Sequence, residues 1–325
     1  ATVVIGEDMR PSSPELADAF SAGVTSQGLD VIRIGLASTD MLYFAAGKLN
    51  LPGAMFTASH NPAEYNGIKL CLSGARPIGK ESGLLTIEKF VREGVPVSLR
   101  PVGVENHKEM LQEYVDHLLT LVDVSGIRKL NIVVDAGNGM AGHTAPAVFS
   151  RMNVDVTEMY YELDGTFPNH EANPIDEANL ADLKKMVKQK KADIGLAFDG
   201  DADRCLAVDS NGELIDGDFI MAILASAWKS DGRLKKDTVV GTVMSNLGFI
   251  KAMDSLGIDV PITAVGDRYV LEKMIAEDFN LGGEQSGHVI MRDFANTGDG
   301  ILTALQLMQV VAASGKSLKE LSGVM

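Results

Sequence analysis

The chain has 325 residues, with 29 lysines and arginines against 44 aspartates and glutamates, so its formal net charge is −15. Proteins that bind nucleic acid through its phosphates usually carry a basic surface, so this balance excludes nucleic acid as an expected partner. Hydrophobic residues make up 46 % of the chain, enough for the buried cores of several domains.

The same composition bears on the compartment in which the protein works. The chain has two cysteines, Cys71 and Cys205, too few for a disulfide framework. No apolar run approaches the roughly 18 residues that span a bilayer, and residues 1–30 carry no export pattern. We therefore expect a cytoplasmic protein with no membrane partner.

Short runs rich in valine and isoleucine recur along the chain between longer stretches with helical spacing. Such runs are typical of strands buried on both faces, and they predict strands over residues 2–5, 31–34, 132–134, 193–198, 239–243 and 260–264. Helical spacing predicts helices over residues 16–23, 105–122 and 217–228. The first of these helices is expected to have a capping hydroxyl from Ser12 or Ser13. The alternation predicts α/β layers with mostly parallel sheets.

Two breaks divide this alternation. One is a non-periodic segment with proline and glycine near residues 93–101, and the other is a hairpin turn at Asn211-Gly212. They predict three consecutive α/β/α units with mixed, mostly parallel sheets. The units are residues 1–102 with a serine-bearing loop, residues 103–212 with an acidic loop, and residues 213–325 with a glycine-rich polar loop.

The serine-bearing loop has the sequence TASHNP over residues 57–62, directly after an apolar run. Small and polar residues at a strand end are typical of exposed loops that carry function. Ser59, with His60 beside it, is a candidate nucleophile or phosphate carrier. The alternative is a capping turn in which Ser59 and Asn61 satisfy backbone groups.

The acidic loop has the sequence DGDADR over residues 199–204. Asp199, Asp201 and Asp203 alternate along an extended loop, so their carboxylates would point to one side and repel one another unless a cation lies between them. Oxygen ligands of this kind suit Mg²⁺. A solvated acidic turn is the alternative.

The third loop has the sequence GEQSGH over residues 283–288. Its glycines allow close backbone approach, while Glu284, Ser286 and His288 offer a carboxylate, a hydroxyl and an imidazole to vicinal sugar hydroxyls. An ordinary glycine-rich turn with polar tips fits the same sequence.

The three loops, in this order and spacing, resemble the signatures of the α-D-phosphohexomutases, a superfamily of phosphoglucomutases, phosphomannomutases and phosphoglucosamine mutases. The resemblance extends over nearly the whole chain. It implies Mg²⁺-dependent interconversion of hexose 1-phosphates and 6-phosphates through a phosphoserine, with a hexose 1,6-bisphosphate as intermediate and activator. The implied ligand is a small phosphosugar. We expect mannose and glucose phosphates as substrates, with glucosamine phosphates as the alternative.

The resemblance also implies roles for residues of the first two loops. Ser59 would be the phosphoserine, and one of its phosphate oxygens would join Asp199, Asp201 and Asp203 on Mg²⁺. His60 would be a candidate for proton transfer.

Further roles follow for basic residues and for the third unit. Lys69 would be a candidate base, but only if burial or neighbouring cations lower its pKa. Arg204 would assist catalysis near the phosphoserine, and Arg10 would bind substrate there. The residues expected to contact the sugar are Gly266, Asp267, Arg268, Glu284, Ser286 and His288.

The chain departs from the family pattern in two ways. Members usually open with a further strand that bears an arginine and close with a fourth domain that clamps the distal phosphate, and we expect both to be missing here. The sequence is also a mosaic. Residues up to about 209 resemble bacterial phosphomannomutase/phosphoglucomutases, as in LDGTFPNH at 163–170, whereas TVMSN at 242–246 and VGDRYV at 265–270 resemble phosphoglucosamine mutases.

Two other functions stay open on the sequence. A phosphatase of the haloacid dehalogenase type would use Asp199 as its nucleophile, although that motif usually continues to threonine or valine where this chain has Asp203. A truncated phosphosugar-binding module would bind hexose phosphate without turnover. For the mutase and for both alternatives, a monomer or a homodimer is expected.

Overall fold

The computed structural model describes residues 1–123 and 128–325. The described residues form three consecutive α/β/α units with mixed sheets, so the fold class predicted from the sequence is confirmed. A single large cluster of buried side chains runs from Val4 in the first unit to Leu318 in the third. The units therefore share a continuous core.

The first unit is built on a six-stranded sheet. Its elements are β1 (Thr2–Glu7), α1 (Ser13–Ser26), β2 (Asp30–Leu36), α2 (Thr39–Leu49), β3 (Gly53–Phe56), β4 (Ile68–Leu72), β5 (Arg76–Pro77), α3 (Leu85–Glu93) and β6 (Glu105–His107). The strand order is β5-β4-β3-β1-β2-β6. Strands β3, β1, β2 and β6 are parallel, whereas β4 and β5 run antiparallel to their neighbours.

Strand β6 corrects one sequence prediction. The helix expected over residues 105–122 begins only at Leu111, because Glu105–His107 pairs with β2 as the edge strand of the first sheet. All three residues of β6 are exposed. An exposed edge strand carries no apolar alternation, so its sequence gave no sign of a strand.

The second unit has a five-stranded sheet. Its elements are α4 (Leu111–Thr120), β7 (Leu130–Asp135), α5 (Ala141–Phe149), β8 (Val154–Met159), α6 (Ala181–Lys190), β9 (Ile194–Phe198), β10 (Cys205–Val208) and β11 (Leu214–Ile215). The order is β11-β10-β9-β7-β8, with β8, β7 and β9 parallel. The predicted Asn-Gly hairpin is confirmed: β10 and β11 are antiparallel, and Gly212 has a φ of +83°.

The third unit has shorter strands than the sequence predicts. Its elements are α7 (Gly217–Ser230), β12 (Gly241–Thr242), α8 (Leu247–Ser255), β13 (Ile262–Thr263), α9 (Asp267–Glu277), β14 (Leu281–Gly283), β15 (Val289–Met291), α10 (Gly300–Ser314) and α11 (Leu318–Ser322). β12 pairs with β13 in parallel, and β14 pairs with β15 in antiparallel. A parallel bridge from Val240 to Gly282 links the two pairs.

The strand ends explain why both polar loops lie at the carboxyl edge of a sheet. The serine-bearing loop follows β3, which is buried along its whole length, and the acidic loop follows β9, which is equally buried. Strand β3 is parallel to its neighbour β1, and β9 is parallel to its neighbour β7. Loops at the carboxyl ends of such strands are where open α/β sheets place their ligand sites.

Within residues 1–123 and 128–325, no helix combines the length and the apolar character that crossing a bilayer requires.

Candidate functional site

The acidic loop gathers three buried carboxylates into one cluster. Asp199, Asp201 and Asp203 each offer an oxygen within 4.8 Å of the other two, and Asp199 and Asp201 are fully buried. The convergence comes from a turn and not from the predicted extended loop. Ala202 has a left-handed φ of 63°, and its N–H donates to the carbonyl of Asp199.

The serine-bearing loop places its hydroxyl on this cluster. Ser59 Oγ donates to Asp199 Oδ2 at 2.7 Å, and the residue is only 8 % exposed. Ser59 has a φ of 51°, a strained conformation that is common at functional sites. Gly200 permits the approach, because a Cβ there would overlap the carbonyl oxygen of Ser59. The structure thus brings together the two loops that the sequence singled out.

Two further residues of the first unit bind the cluster. Lys69, on β4, donates from Nζ to Asp201 Oδ2 and to Asp203 Oδ2, both at 2.6 Å. Thr39, at the start of α2, donates from Oγ1 to Asp201 Oδ2 at 2.6 Å and from its N–H to the Asp201 carbonyl. Sequence reasoning missed Thr39, since a threonine after the capping Ser38 looks like an ordinary helix start.

The pKa values of the carboxyl groups in the cluster are shifted in opposite directions. Burial, together with Asp201 and Asp203, raises the pKa of Asp199 well above its usual range. Burial also acts to raise the pKa of Asp203, but Lys69, His288 and Arg204 together outweigh burial, so that pKa lies well below the usual range. The cluster therefore holds strong negative potential beside Ser59.

A divalent metal ion fits these residues. Asp201 Oδ1 and Asp203 Oδ1 are buried and have no hydrogen-bond partner among the described residues. Buried carboxylate oxygens without donors are costly unless a cation binds them, and hard oxygen ligands suit Mg²⁺. Such an ion would compete with the Lys69 ammonium for the same carboxylates.

Lys69 does not meet the condition set for a base. Burial acts to lower its pKa, but Asp201 and Asp203 outweigh burial and raise it well above the ordinary value. The ammonium is therefore stabilised. His60 is better placed to accept a proton, since its Nδ1 lies 3.4 Å from Ser59 Oγ, and burial with the nearby Arg204 lowers its pKa.

Arg204 lies against the cluster as expected. The backbone N–H of Arg204 donates to Asp199 Oδ1 at 3.1 Å. The side-chain Nε is 3.9 Å from both Asp199 Oδ2 and Asp203 Oδ1. Burial acts to lower the pKa of Arg204, but the carboxylates outweigh it and raise that pKa. A permanent positive charge thus lies beside Ser59.

Arg10 differs from its predicted role. Its side chain is fully buried and paired with Asp8, with Nε 3.2 Å from Asp8 Oδ2. Its two terminal amino groups donate to three backbone carbonyls of the serine-bearing loop, those of Ser59, Asn61 and Pro62, and to the carbonyl of Tyr65 just after it. Arg10 therefore holds the loop from beneath and does not face a substrate.

Substituting Arg10 tests this role. We expect Arg10→Ala to lower the free energy of unfolding by about 3–5 kcal/mol, because it strands the buried carboxylate of Asp8. Arg151→Ala is the control, since Arg151 forms a partly exposed pair with Asp116, and its loss should cost less than about 1 kcal/mol. Chemical denaturation measures both. Equal effects of the two substitutions would contradict a structural role for Arg10.

A loop of the second unit supports Arg10 in turn. The Phe167 ring lies beneath its guanidinium, 5.1 Å from ring centroid to Cζ. Three residues later, His170 Nε2 lies 3.1 Å from Asp135 Oδ2, and Asp135 is buried at the end of β7. The LDGTFPNH motif thus connects the second sheet to the serine-bearing loop.

The His170–Asp135 pair predicts a pH dependence. Burial acts to lower the pKa of His170, but Asp135, with the Glu171 carbonyl and Asp182, outweighs burial and raises the pKa above 6.5. The stability this pair contributes is therefore fully present below that ordinary value and is lost as pH rises through the folded pKa. We expect the stability difference between wild type and His170→Asn to be larger at about pH 5.5 than at about pH 8.5. Thermal melting checks this, and a difference independent of pH would contradict it.

The third unit contributes two loops at the mouth of the site. Glu284 Oε1 accepts from the N–H of Gly266 at 2.8 Å, which joins the GEQSGH loop to the start of α9. Ser286 Oγ is buried and has no hydrogen-bond partner among the described residues. Asp267 is more than half exposed. These polar groups remain candidates for contact with a sugar.

Two predicted sugar contacts have protein partners instead. His288 is 3 % exposed. Its Nε2 accepts from the N–H of Gly298 at 3.0 Å, and its Nδ1 lies 3.7 Å from Asp203 Oδ2. The guanidinium of Arg268 packs on Gly79 of the first unit, where a Cβ would overlap it, and its Nε donates to Glu272. His288 positions the acidic loop, and Arg268 bridges the first and third units.

Comparison with known families matches all three units. The models for α/β/α domains I, II and III of phosphoglucomutase/phosphomannomutase match residues 1–95, 112–212 and 216–325. Strand β6 lies between the first two matches.

Curated relatives and a solved structure extend over almost the whole chain. A phosphoglucosamine mutase of Streptomyces griseus is 45 % identical over 100 % of this chain and 72 % of its own length. A phosphoglucosamine mutase of Limosilactobacillus fermentum is 42 % identical over 98 % and 71 %. A phosphoglucomutase/phosphomannomutase family protein from Burkholderia thailandensis superposes with a TM-score of 0.89 at 29 % identity, covering 100 % of this chain and 71 % of that one. The chain therefore belongs to the phosphoglucomutase/phosphomannomutase family of α-D-phosphohexomutases, a family of intramolecular phosphotransferases.

Proposed function

We propose that this chain is a Mg²⁺-dependent mutase that interconverts glucosamine 6-phosphate and glucosamine 1-phosphate. The observation that carries the proposal is the Ser59 hydroxyl, 2.7 Å from Asp199 Oδ2 in a buried carboxylate cluster that suits a divalent cation. Relatives at 42 and 45 % identity that bear the name phosphoglucosamine mutase support the choice of substrate. This replaces mannose and glucose phosphates as the first expectation.

The proposed reaction passes one phosphoryl group between oxygens. Phosphorylated Ser59 donates its group to a free hydroxyl of the hexose phosphate: the P–Oγ bond breaks, a P–O bond forms at the sugar, and the hydroxyl proton passes by way of a base to Ser59 Oγ. The resulting 1,6-bisphosphate turns over and returns its other phosphoryl group to Ser59. Mg²⁺ held by Asp199, Asp201 and Asp203 would neutralise charge on the transferring group.

The chain's own side chains supply the remaining chemistry. The neutral imidazole of His60, beside Ser59 Oγ, accepts the proton and later returns it. Arg204 stabilises charge that develops on the phosphoryl oxygens. Lys69 stays cationic and competes with the metal for carboxylates or, once displaced, interacts with a phosphate.

The amino group of the substrate distinguishes the proposal from its nearest competitor. Asp267 and Glu284 offer carboxylates at the mouth of the site that would pair with the 2-ammonium of glucosamine. Mannose and glucose phosphates are the second candidate, favoured by the resemblance of the first two units to phosphomannomutase/phosphoglucomutases.

Substrate competition tests the choice. The chain is primed with glucose 1,6-bisphosphate in Mg²⁺, and kcat/KM is measured for glucosamine 6-phosphate, mannose 6-phosphate and glucose 6-phosphate. We expect the amino sugar to be preferred by at least about tenfold, because a hydrogen bond to a charged group contributes about 1.5–3 kcal/mol. The Ser59→Ala variant controls for contaminating mutases. A preference for mannose 6-phosphate would overturn the substrate proposal and leave the mutase chemistry standing.

A further inference from the structure

Thr39, the first residue of α2, makes two separate hydrogen bonds to Asp201 in the acidic loop. Its Oγ1 donates to Asp201 Oδ2 at 2.6 Å, and its N–H donates to the backbone carbonyl of Asp201 at 3.2 Å. Thr39 is 1 % exposed, and Asp201 is fully buried. One residue of the first unit therefore fixes both the backbone and the carboxylate of an aspartate in the second unit.

The structure around Thr39 holds it in place. Ser38 caps α2, because its Oγ accepts from the N–H of Met41 at 3.2 Å, and Ser38 is fully buried. Met41 and Leu42, in the first turn of the helix, belong to the core that the three units share. A capped helix with a buried first turn leaves its first residue little freedom to move.

The two oxygens of the Asp201 carboxylate lie in different environments. Oδ2 accepts from Thr39 Oγ1 and from Lys69 Nζ, both at 2.6 Å. Oδ1 is buried and has no hydrogen-bond partner among the described residues. Rotation of the carboxylate would break the bonds to Oδ2, which costs free energy in a buried site. Oδ1 is therefore the oxygen of Asp201 that is available to a cation.

The two donors to Oδ2 differ in how they respond to a bound cation. A divalent ion on this cluster repels the ammonium of Lys69, since like charges a few ångströms apart in a buried site interact strongly. The Thr39 hydroxyl has no net charge and escapes this repulsion, so it can keep its bond to Oδ2 when a metal binds. Donors behind a metal-binding carboxylate orient it and tune its affinity for the metal.

We propose that Thr39 is a positioning residue of the mutase site, and that its hydroxyl holds Asp201 with Oδ1 directed at the metal. The inference rests on the proposed Mg²⁺-dependent function and adds a determinant of metal affinity to it. Thr39 lies 162 positions from Asp201 in the sequence. The metal affinity of the acidic loop thus depends on the packing of the first unit against the second.

The Thr39→Val substitution tests the proposal, because it removes the hydroxyl and keeps the backbone bond to Asp201. Mg²⁺ is titrated calorimetrically into wild type and variant. We expect the affinity of the variant to be lower by at least about tenfold, the loss that follows removal of a partner behind a metal ligand. At saturating Mg²⁺, kcat should also fall while KM for the phosphosugar stays unchanged, because the hydroxyl acts on Asp201 and not on the sugar. Thr39→Ser should restore both quantities.

A second threonine provides the matched control. Thr238 is 4 % exposed, and its hydroxyl donates to the carbonyl of Lys236 at 2.8 Å in the third unit. Thr238→Val removes the same group from a buried site and should leave the Mg²⁺ affinity at the wild-type value. If Thr39→Val melts well below wild type in EDTA, Thr39→Ala replaces it, since alanine introduces no methyl group in place of the hydroxyl.

The outcomes separate this inference from the function on which it rests. Wild-type Mg²⁺ affinity in Thr39→Val would overturn the positioning role and leave the metal site standing. A Thr39→Ser variant as weak as Thr39→Val would also overturn it, because packing and not the hydroxyl would then be the cause. A wild-type chain that does not bind Mg²⁺ would overturn the metal site and the positioning role together.

Discussion

Replacing Ser59 with alanine is expected to abolish mutase turnover, with a fall in kcat of about 10³-fold or more. The hydroxyl oxygen is the atom that carries the phosphoryl group in the proposed reaction, and the neighbouring groups cannot take over that bond. Turnover is measured with glucosamine 6-phosphate after priming with glucose 1,6-bisphosphate.

The fold should survive this substitution. The Ser59 side chain makes one short hydrogen bond, to Asp199, and alanine keeps the Cβ of the native residue. Ser12→Ala, an exposed serine of the same unit, is the matched control and should retain full activity. An active Ser59→Ala variant with native melting would rule out the phosphoserine and favour a nucleophile elsewhere, with Asp199 the first alternative.

The second large effect is expected at Asp199. Replacing it with asparagine should change the melting temperature in opposite directions without and with Mg²⁺. Without metal, Asp199→Asn is expected to raise the melting temperature, because the buried charge is repelled by Asp201 and Asp203 and its pKa is raised. With saturating Mg²⁺ the same substitution should lower the melting temperature relative to wild type. Removing a ligand should weaken metal affinity by at least about a hundredfold, the upper range seen when only outer-shell partners are lost.

Paired melting curves in EDTA and in Mg²⁺ measure this reversal, and calorimetric titration gives the metal affinity. Asp209→Asn is the control. Asp209 is a buried aspartate in the turn between β10 and β11, and its Oδ1 accepts from the N–H groups of Asn211 and Glu213. The Asp209→Asn substitution should therefore change the melting temperature by the same amount in both buffers. An Asp199→Asn variant that destabilises the protein equally with and without Mg²⁺ would contradict a metal site at this cluster.

The central parts of the site were predictable because they lie in short, chemically unusual loops. The TASHNP and DGDADR segments follow buried apolar strands, and parallel strand ends bring such loops to one edge. These strand ends account for the exposure of each loop, whereas the placement of Ser59 beside Asp199 came from the resemblance to the phosphohexomutases. The fold class followed in the same way from the alternation of apolar runs with helical spacing.

Side-chain direction could not be predicted. Arg10 was expected to bind substrate, but it pairs with the buried Asp8, and its terminal amino groups donate hydrogen bonds to loop carbonyls. The capping hydroxyl expected for α1 is also missing. Ser12 makes no side-chain cap to this helix, and the Ser13 hydroxyl donates to Asp8 instead. A buried ion pair leaves no periodic signal in a sequence.

Contacts between distant segments were equally out of reach. Lys69 meets Asp201 and Asp203 across more than 130 positions, and that contact reverses the pKa shift on which its role as a base depended. His288 is turned inward by the N–H of Gly298. Both outcomes depend on how the three units pack, which local sequence patterns do not encode.

The chain spans 72 % of the length of the Streptomyces griseus relative, so the central claim is best tested on the chemistry that its own residues perform. That claim is that Ser59 carries the phosphoryl group at a metal-binding carboxylate cluster. The most direct measurement is intact mass with peptide mapping after incubation with glucose 1,6-bisphosphate and Mg²⁺. We expect an increment of about 80 Da, one phosphoryl group, on the peptide that contains Ser59, and no increment in the presence of EDTA. Phosphate on Asp199, or a chain that stays unmodified in Mg²⁺, would contradict it.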